Sequence, residues 1–336
     1  MTEQIRWGII GTGKIARTFA EALRGTEGAR LYAAASRTYD KARAFAGEFG
    51  FEKAYGSYRE LAEDDGIDAV YIATPMASHY GDAMLCIRNG RNVLCEKSLA
   101  LNLEQTEEML SCAKEKGVFF MEAMWMKCRP VFLKVLEWIG EGRIGRPEFV
   151  KADFSNYIPF NSGDRLFRPD CGGGALLDLS VYPLTFADAV FGSPEEIISS
   201  AQILGGVDMN NSILLRYGDG RFTSADCGFR LQLRNNAMVS GMEGFITLGD
   251  WFHCTSEAEL FDKEAKSVEK FVCEPEINGY EYEIREVHRC LRLGLKESPL
   301  VPHAGTVRVM KVMDECRRQW GMTFPQEEQD APESRG

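Results

Sequence analysis

Ile5-Arg-Trp-Gly-Ile-Ile-Gly-Thr-Gly-Lys-Ile-Ala16 is the stretch that decides the fold. Its opening, Ile5 to Ile10, is a short apolar run that stops at Gly11, as a buried parallel strand does. From Lys14 onward, Ile15, Phe19, Ala22 and Leu23 recur at helical spacing. The turn between them, Gly11-Thr12-Gly13-Lys14-Ile15-Ala16, fits the G-x-G-x-x-G/A pattern of a dinucleotide-binding loop. Gly11 permits the tight turn, Gly13 lets the backbone approach a pyrophosphate where a Cβ would collide, and Ala16 allows close helix–sheet packing. The helix start then offers free N–H groups and partial positive charge to phosphates. A glycine-rich strand-to-helix turn with no ligand is the plain alternative, and the strand–turn–helix context argues against it.

Working outward, strand and helix alternate. Strands are expected at 5–10, 31–35, 69–73, 92–95 and 118–121, with helices at 14–24, 41–49, 79–89 and 103–116. Such alternation implies βαβ units and a parallel sheet covered on both faces. After residue 125 the pattern changes. A helix at 131–140 leads into an alternating run at 147–154, and 178–191 is apolar and helix-like. Alternating runs follow at 196–204, 212–217, 221–227, 237–241 and 244–248, with Gly218-Asp-Gly220 as a strong turn signal. Helices at 282–295 and 306–320 close the chain. The expectation is therefore an α/β protein: a dinucleotide-binding Rossmann domain over 1–123 and a second α/β domain with a large open, mostly antiparallel sheet over 124–325. The polar, acidic stretch 326–336 is expected to be a disordered tail.

Composition agrees with such a protein and excludes others. The 336 residues suit two domains of about 150 residues each. A net charge of −11 argues against nucleic acid, whose phosphates need a basic face. No apolar run is expected to reach the ~20 residues that cross a membrane. Ten cysteines show neither CxxC pairs nor zinc-ligand spacing, so no metal is implied. They read as reduced thiols of a cytoplasmic protein.

The second strand ends at Ala35, where an NAD-specific site carries Asp or Glu for the ribose 2′-hydroxyl. Here Ser36-Arg37 follows, and a hydroxyl with a guanidinium suits a 2′-phosphate. NADP(H) is therefore expected over NAD(H). The competing reading of Arg37 is a solvated surface residue.

Several motifs then occur in order: Gly11 to Ala16, Ser36-Arg37, Ile72-Ala-Thr-Pro75, His79, Glu96-Lys97, Glu122-Ala-Met-Trp125 and Gly172-Gly-Gly-Ala-Leu-Leu-Asp-Leu-Ser-Val-Tyr182. Together they resemble the glucose–fructose oxidoreductase / inositol dehydrogenase / MocA-like family. Glu122 to Trp125, Gly173 to Asp178 and Gly294-Leu-Lys-Glu-Ser-Pro299 resemble its dimeric dihydrodiol dehydrogenase branch. The resemblance implies hydride transfer between a nicotinamide and a secondary alcohol or carbonyl of a sugar, polyol or cyclic diol. It also implies a homodimer through the open sheet face.

The family's Glu-Lys-Pro motif places its catalytic lysine on Lys97, at the carboxyl edge of the parallel sheet where ligands bind. Its ammonium would stabilise an alkoxide; a surface pair with Glu96 is the alternative. Ser98 stands where the family has proline, which leaves the Lys97–Ser98 peptide open between cis and trans. Asp178 and Tyr182 lie four apart, on one face of a helix. Tyr182 takes the position of the family's histidine. A phenol, of pKa about 10 by itself, becomes an acid–base group beside an ammonium. Tyr182 is the expected proton donor or acceptor, Lys97 its electrostatic partner and Asp178 a substrate-hydroxyl ligand. A core tyrosine and a helix ion pair are the alternatives. Pro183 should kink this helix.

The resemblance also places Thr74, Pro75, His79 and Glu96 beside the cofactor. Trp125 and Arg165 are candidates for the substrate pocket, against core packing and a solvated loop, and Arg168 stands with Arg165. An NAD-linked inositol or sugar dehydrogenase and a non-catalytic NADP(H)-sensing regulator are the rival readings.

Overall fold

A computed structural model describes residues 4–329. The chain divides into two compact units. The first holds the residues up to Ala100, Glu104–Arg129 and Glu274–Thr306; the second holds Leu101–Leu103, Pro130–Cys273 and the residues from Val307 on.

The first unit begins with β1 (Ile5–Ile10), α1 (Lys14–Gly25), β2 (Ala29–Ala35), α2 (Tyr39–Phe49), β3 (Lys53–Tyr55) and α3 (Tyr58–Glu63). It continues through β4 (Ala69–Ile72), α4 (Met76–Arg88), β5 (Asn92–Glu96), α5 (Leu103–Lys116) and β6 (Phe120–Ala123). The six strands are all parallel in the order β3-β2-β1-β4-β5-β6. This is the doubly wound order, with its switch point between β1 and β4, and ligands bind outside the carboxyl ends of the strands there. Ile9, Ile10, Val70, Ile72, Val93 and Leu94 are fully buried, because helices cover both faces of the sheet.

The second unit carries α6 (Pro130–Gly140), β7 (Pro147–Ser155), α7 (Val181–Phe191), β8 (Glu196–Leu204), β9 (Val207–Arg216) and β10 (Phe222–Gly228). It continues with β11 (Ala237–Gly241), β12 (Gly244–Leu248), β13 (Glu257–Asp262) and β14 (Ser267–Val272). Eight strands run in the order β14-β13-β12-β11-β7-β10-β9-β8. All pairs are antiparallel except β7 with β10. One face packs inward through Val150, Ala152 and Phe154 of β7. The other carries a register row of Phe222, Phe149, Ser240, Phe245 and Phe261, half-buried or exposed. The chain ends in α8 (Glu281–Arg292) of the first unit, α9 (His303–Trp320) and α10 (Pro325–Gln329).

Four expectations need correction. First, the second domain is not the continuous block 124–325, because Glu274–Thr306 belongs to the first unit. The buried stripe Ile284, Val287, Cys290 of α8 needs an apolar partner, and α8 packs on α1 and the turn Trp125–Cys128. Trp7 Nε1 bonds His288 Nε2 at 3.0 Å, Asn278 Nδ2 donates to Thr18 O at 2.9 Å, and Phe19 packs edge-on to Tyr280. Second, the expected disordered tail starts too early. Residues 325–329 are helical, and Glu327 accepts from Arg317, Asn102 and the Phe324 N–H. The rest of that tail lies outside the described residues.

Third, the stretch Pro169–Phe191 is, by length and composition, apolar enough to cross a membrane, yet 78% of its most apolar window is buried inside the protein. It is core. Fourth, 178–191 is not one regular helix: a π-turn over Leu176–Ser180 precedes α7. Pro183, the third residue of α7, cannot donate to the carbonyl of Leu179, and the extra residue of the π-turn lies directly ahead of it.

Candidate functional site

At the switch point, Gly11 has φ +99° and donates its N–H to Ala35 O at 3.0 Å. A Cβ there would sit 2.7 Å from Ala73 O, so close packing of the two strand ends requires glycine. Gly13 caps α1 in extended backbone, with no side-chain cap and no acidic residue in the first turn. A Cβ on Gly13 would meet no protein atom within 4 Å. The protein's own packing therefore does not ask for glycine at this position; a phosphate lying against the helix start does. The donor set fits a dinucleotide: uncapped N–H groups at Gly13 to Ile15, with Thr12 half-buried and Lys14 exposed beside them. Ser36 is buried at the end of β2, its N–H bonded to Tyr55 O, and Arg37 beyond it is exposed.

Thr74 and Pro75 lie between β4 and α4. Thr74 Oγ1 donates to Asp82 Oδ2 at 2.7 Å, and burial pushes the Asp82 carboxyl up to about 6. His79 is buried inside α4, not at its start. Its ring nitrogens face two main-chain oxygens, Ser98 O and Thr74 O, each at 3.0 Å. It thus staples the loop after β4 to the loop after β5, and through that bridge it positions both Thr74 and Lys97.

Lys97 is half-buried at the carboxyl end of β5, and the Lys97–Ser98 peptide is cis. Glu96 is turned inward. Its carboxylate accepts from the Tyr71 hydroxyl and, at 3.2 Å, from the Lys97 N–H. Burial holds the Glu96 carboxyl above the ordinary carboxylate range. Glu122 supports the same loop from β6, accepting from Leu99 N–H at 3.2 Å and Thr306 Oγ1 at 2.8 Å. Beneath Glu96 lies Glu283 of α8, fully buried, with neither carboxylate oxygen hydrogen-bonded. Trp125 opens the 3-10 turn Trp125–Cys128 and stacks on Tyr280 at 4.5 Å, with the Arg129 guanidinium 5.2 Å above its ring. Only 9% of Trp125 is exposed, so most of its surface is committed to packing in the first unit.

The second unit holds Asp178 and Tyr182. Tyr182 is buried on α7 among aromatic rings, 5.5 Å from Phe154 and 4.8 Å from His253. Phe154 and His253 stack at 4.3 Å, and exposed Trp251 meets Phe154 edge-on. Asp178 is half-buried in the π-turn, 3.6 Å from Arg165 Nη1. Arg168 instead pairs with Asp170 on the surface. The loop before the π-turn is closed tightly. A Cβ on Gly173 would lie 2.6 Å from Leu166 O, and one on Gly174 would lie 2.3 Å from Asp208 Oδ1.

The structure thus gathers Gly11 to Ile15, Ser36, Arg37, Thr74, Pro75, His79, Glu96 and Lys97 along the carboxyl ends of one sheet. It gathers Asp178, Tyr182 and Arg165 in the other unit. Sequence reasoning missed Tyr71, Asp82, Asp208 and Glu283, and offers His253, with Trp251 and Phe252, only as a possible wall of the pocket. Only Glu283 left a signal, as an acid beside Ile284 on the apolar stripe of a helix. Among the described residues, no group of three His, Cys, Asp or Glu is arranged to hold a metal ion.

Comparison with known proteins follows the same division. Residues 5–124 match the oxidoreductase family with an NAD-binding Rossmann fold, and residues 132–247 match the GFO/IDH/MocA C-terminal domain. The trans-1,2-dihydrobenzene-1,2-diol dehydrogenase of Danio rerio is 35% identical over 337 residues, which cover 97% of this chain and 99% of the relative. That of Mus musculus is 35% identical over 336 residues, covering 96% and 99%. Among solved structures, the 3-ketoreductase KijD10 of Actinomadura kijaniata, in complex with NADP and TDP-benzene, superposes with a TM-score of 0.84. It is 27% identical, with 94% of this chain and 98% of that one covered. The chain belongs to the Gfo/Idh/MocA family of NAD(P)-binding oxidoreductases.

Proposed function

We propose that the protein is an NADP(H)-dependent dehydrogenase that transfers a hydride between the nicotinamide and the CH–OH carbon of a cyclic trans-diol, with polyols and sugars as neighbouring substrates. The observation that carries this reading is the setting of Tyr182. A phenol lies in a wall of aromatic rings, one helical turn from a carboxylate held by an arginine. Aromatic faces suit a flat, largely apolar ring, and Asp178 suits one of its hydroxyls. The named relatives support a diol. Ser36 and exposed Arg37 at the end of β2, with no carboxylate at those two positions, support NADP(H) over NAD(H).

The residues divide the work. Gly11, Gly13 and the start of α1 hold the pyrophosphate, Ser36 and Arg37 the 2′-phosphate. Bound NADP⁺ supplies the hydride acceptor. Tyr182 takes the hydroxyl proton of the alcohol, the Lys97 ammonium stabilises the negative charge that develops on that oxygen, and Asp178 orients the second hydroxyl. In the reverse direction Tyr182 returns the proton to the carbonyl oxygen. The row of phenylalanines on the open sheet face supports a homodimer. The buried thiols of Cys86, Cys95, Cys128, Cys227, Cys290 and Cys316 support a reducing, cytoplasmic setting.

The test is steady-state reduction of NADP⁺ and, in parallel, NAD⁺, over cyclic trans-diols, inositols and sugars, with Tyr182→Phe as the control. Turnover is expected with NADP⁺ and a trans-diol. Tyr182→Phe should bind NADPH like the parent and lose about 10²–10⁴-fold in kcat. A fully active Tyr182→Phe variant overturns the acid–base assignment. NADPH binding with silence across the panel favours the sensing regulator.

A further inference from the structure

The π-turn Leu176–Ser180 displays Asp178 and leads straight into the helix that carries Tyr182. A π-turn takes one residue more than an α-turn and is rarely stable by itself. Here it is tied to β9 at both ends. Asp208 Oδ2 accepts from the Leu176 N–H at 2.9 Å and from Asn211 Nδ2 at 2.8 Å. Asn211 Oδ1 in turn accepts from Ser180 Oγ at 3.0 Å. Asp208 is fully buried, and its other oxygen, Oδ1, has no hydrogen-bond partner. Among the described residues, no cation contributes to its electrostatic surroundings. A neutral side chain would accept the Leu176 N–H without the cost of burying an uncompensated charge. A carboxylate kept here against that cost asks for a reason beyond packing.

We propose that Asp208 is a positioning residue for the reaction: through Leu176, and by way of Asn211 through Ser180, it fixes the π-turn that presents Asp178 and sets the start of the helix carrying Tyr182. This rests on the roles given above to Tyr182 and Asp178. A carboxylate accepts two N–H bonds more strongly than a carboxylic acid does, so the clamp is tight when Asp208 is ionised. Burial pushes the Asp208 carboxyl up to about 6. The titratable groups in its field are Cys227 on β10 and Cys316 on α9, both pushed up to about 12 by burial and hence neutral at working pH. Asp82, bonded to Thr74 in the first unit, is raised to the same range, so a step near pH 6 belongs to Asp208 where Asp208→Asn abolishes it.

Activity and stability then move in opposite directions. Ionisation tightens the clamp, so kcat rises with pH through about 6. The raised carboxyl stabilises the fold below its unfolded value, and that contribution is lost as pH rises through about 6. A merely structural residue would move both together.

The experiment compares the parent, Asp208→Asn, Ser180→Ala and Tyr182→Phe, in kcat against pH on the diol turned over, in NADPH affinity by fluorescence titration, and in thermal melts. In Asp208→Asn, kcat at pH 8 should fall about 10–100-fold with NADPH affinity kept. The step near pH 6 should vanish, and the melting temperature at pH 8 should hold or rise. Ser180→Ala, which cuts the Asn211 arm together with the Ser180 Oγ contact to Ala175 O at 3.4 Å and its bond with Cys227 but leaves the Leu176 bond to Asp208, should lose about 3–10-fold in kcat and keep the step. It carries the test should Asp208→Asn fail to fold. Parent kcat with the step intact in Asp208→Asn overturns the proposal, as does kcat falling in parallel with melting temperature, or parent kcat in Ser180→Ala. An active Asp208→Asn beside an inactive Tyr182→Phe sinks this proposal alone. An active Tyr182→Phe, or no turnover on any substrate, sinks the functional reading and the positioning role with it.

Discussion

At the residue scale, Glu283 is the side chain that the fold tolerates at greatest expense. It is wholly buried on α8 with both oxygens unbonded, and burial and the nearby charge of Glu96 hold its carboxyl far above the ordinary range. Tyr71 and the Cys128 thiol lie within reach of its charge and are themselves raised by burial. A carboxyl raised on folding stabilises the protein below its unfolded pKa, and that contribution drains away as pH rises toward the folded value. Glu283→Gln removes the titration at constant shape. It should leave the melting temperature unchanged near pH 4.5 and raise it by about 2–6 °C at pH 8. Equal shifts at both pH values would show that the carboxyl is not held neutral. The sequence marks this glutamate only as an acid beside Ile284 on the apolar stripe; that its burial is uncompensated while the equally buried Glu281 and Glu286 are hydrogen-bonded is not written there, because Tyr71 and Glu96 beside it come from a distant part of the chain.

At the scale of elements, legibility followed periodicity. The β1–Gly11–α1 unit could be read because an apolar run, a turn pattern and a helical stripe succeed one another without interruption. β3 and α3 escaped because three and six residues are too few to show a period. β13 and β14 escaped because their outward positions carry charge, as in Glu257, Glu259 and Lys270, and their inward positions are few. The π-turn was invisible, since it depends on Asp208 and Asn211 of another strand. The cofactor glycines could be read with their separate reasons, a turn at Gly11 and a phosphate approach at Gly13, but not the Ala73 carbonyl that crowds Gly11. Gly11→Ala forces positive φ on a Cβ lying 2.7 Å from Ala73 O, so it should cost about 1–3 kcal/mol of stability as well as NADPH binding. Gly13→Ala has space in the protein, so melts should match the parent while NADPH affinity falls at least about tenfold. If Gly13→Ala binds NADPH like the parent, the pyrophosphate does not lie there.

At the scale of the molecule, the two proposed catalytic side chains sit on separate compact units, Lys97 on the first and Tyr182 on the second. The second unit's open sheet face carries Phe222, 43% exposed and 4.5 Å from Phe149, and a stacked pair of Phe245 and Phe261 at 4.7 Å. A row of this kind on a soluble surface fits a self-complementary contact. Solution mass at micromolar concentration should be twice that of one chain, and Phe222→Glu should halve it; a monomeric parent contradicts the dimer. The alternation of apolar and polar residues revealed this sheet, but the return of the last helices could not be read. An apolar stripe says that a helix has a partner without saying which.

That return has a consequence for synthesis. The bond from Trp7 to His288 spans 281 positions. When the ribosome has finished Arg129, every strand of the first sheet exists, but α8 has yet to be made. At ~5–20 residues per second, the flank of β1 and α1 around Trp7 and Phe19 stays bare for roughly ten to thirty seconds. During that interval the nascent Rossmann sheet presents an aromatic surface to chaperones, and its maturation is timed by the synthesis of α8.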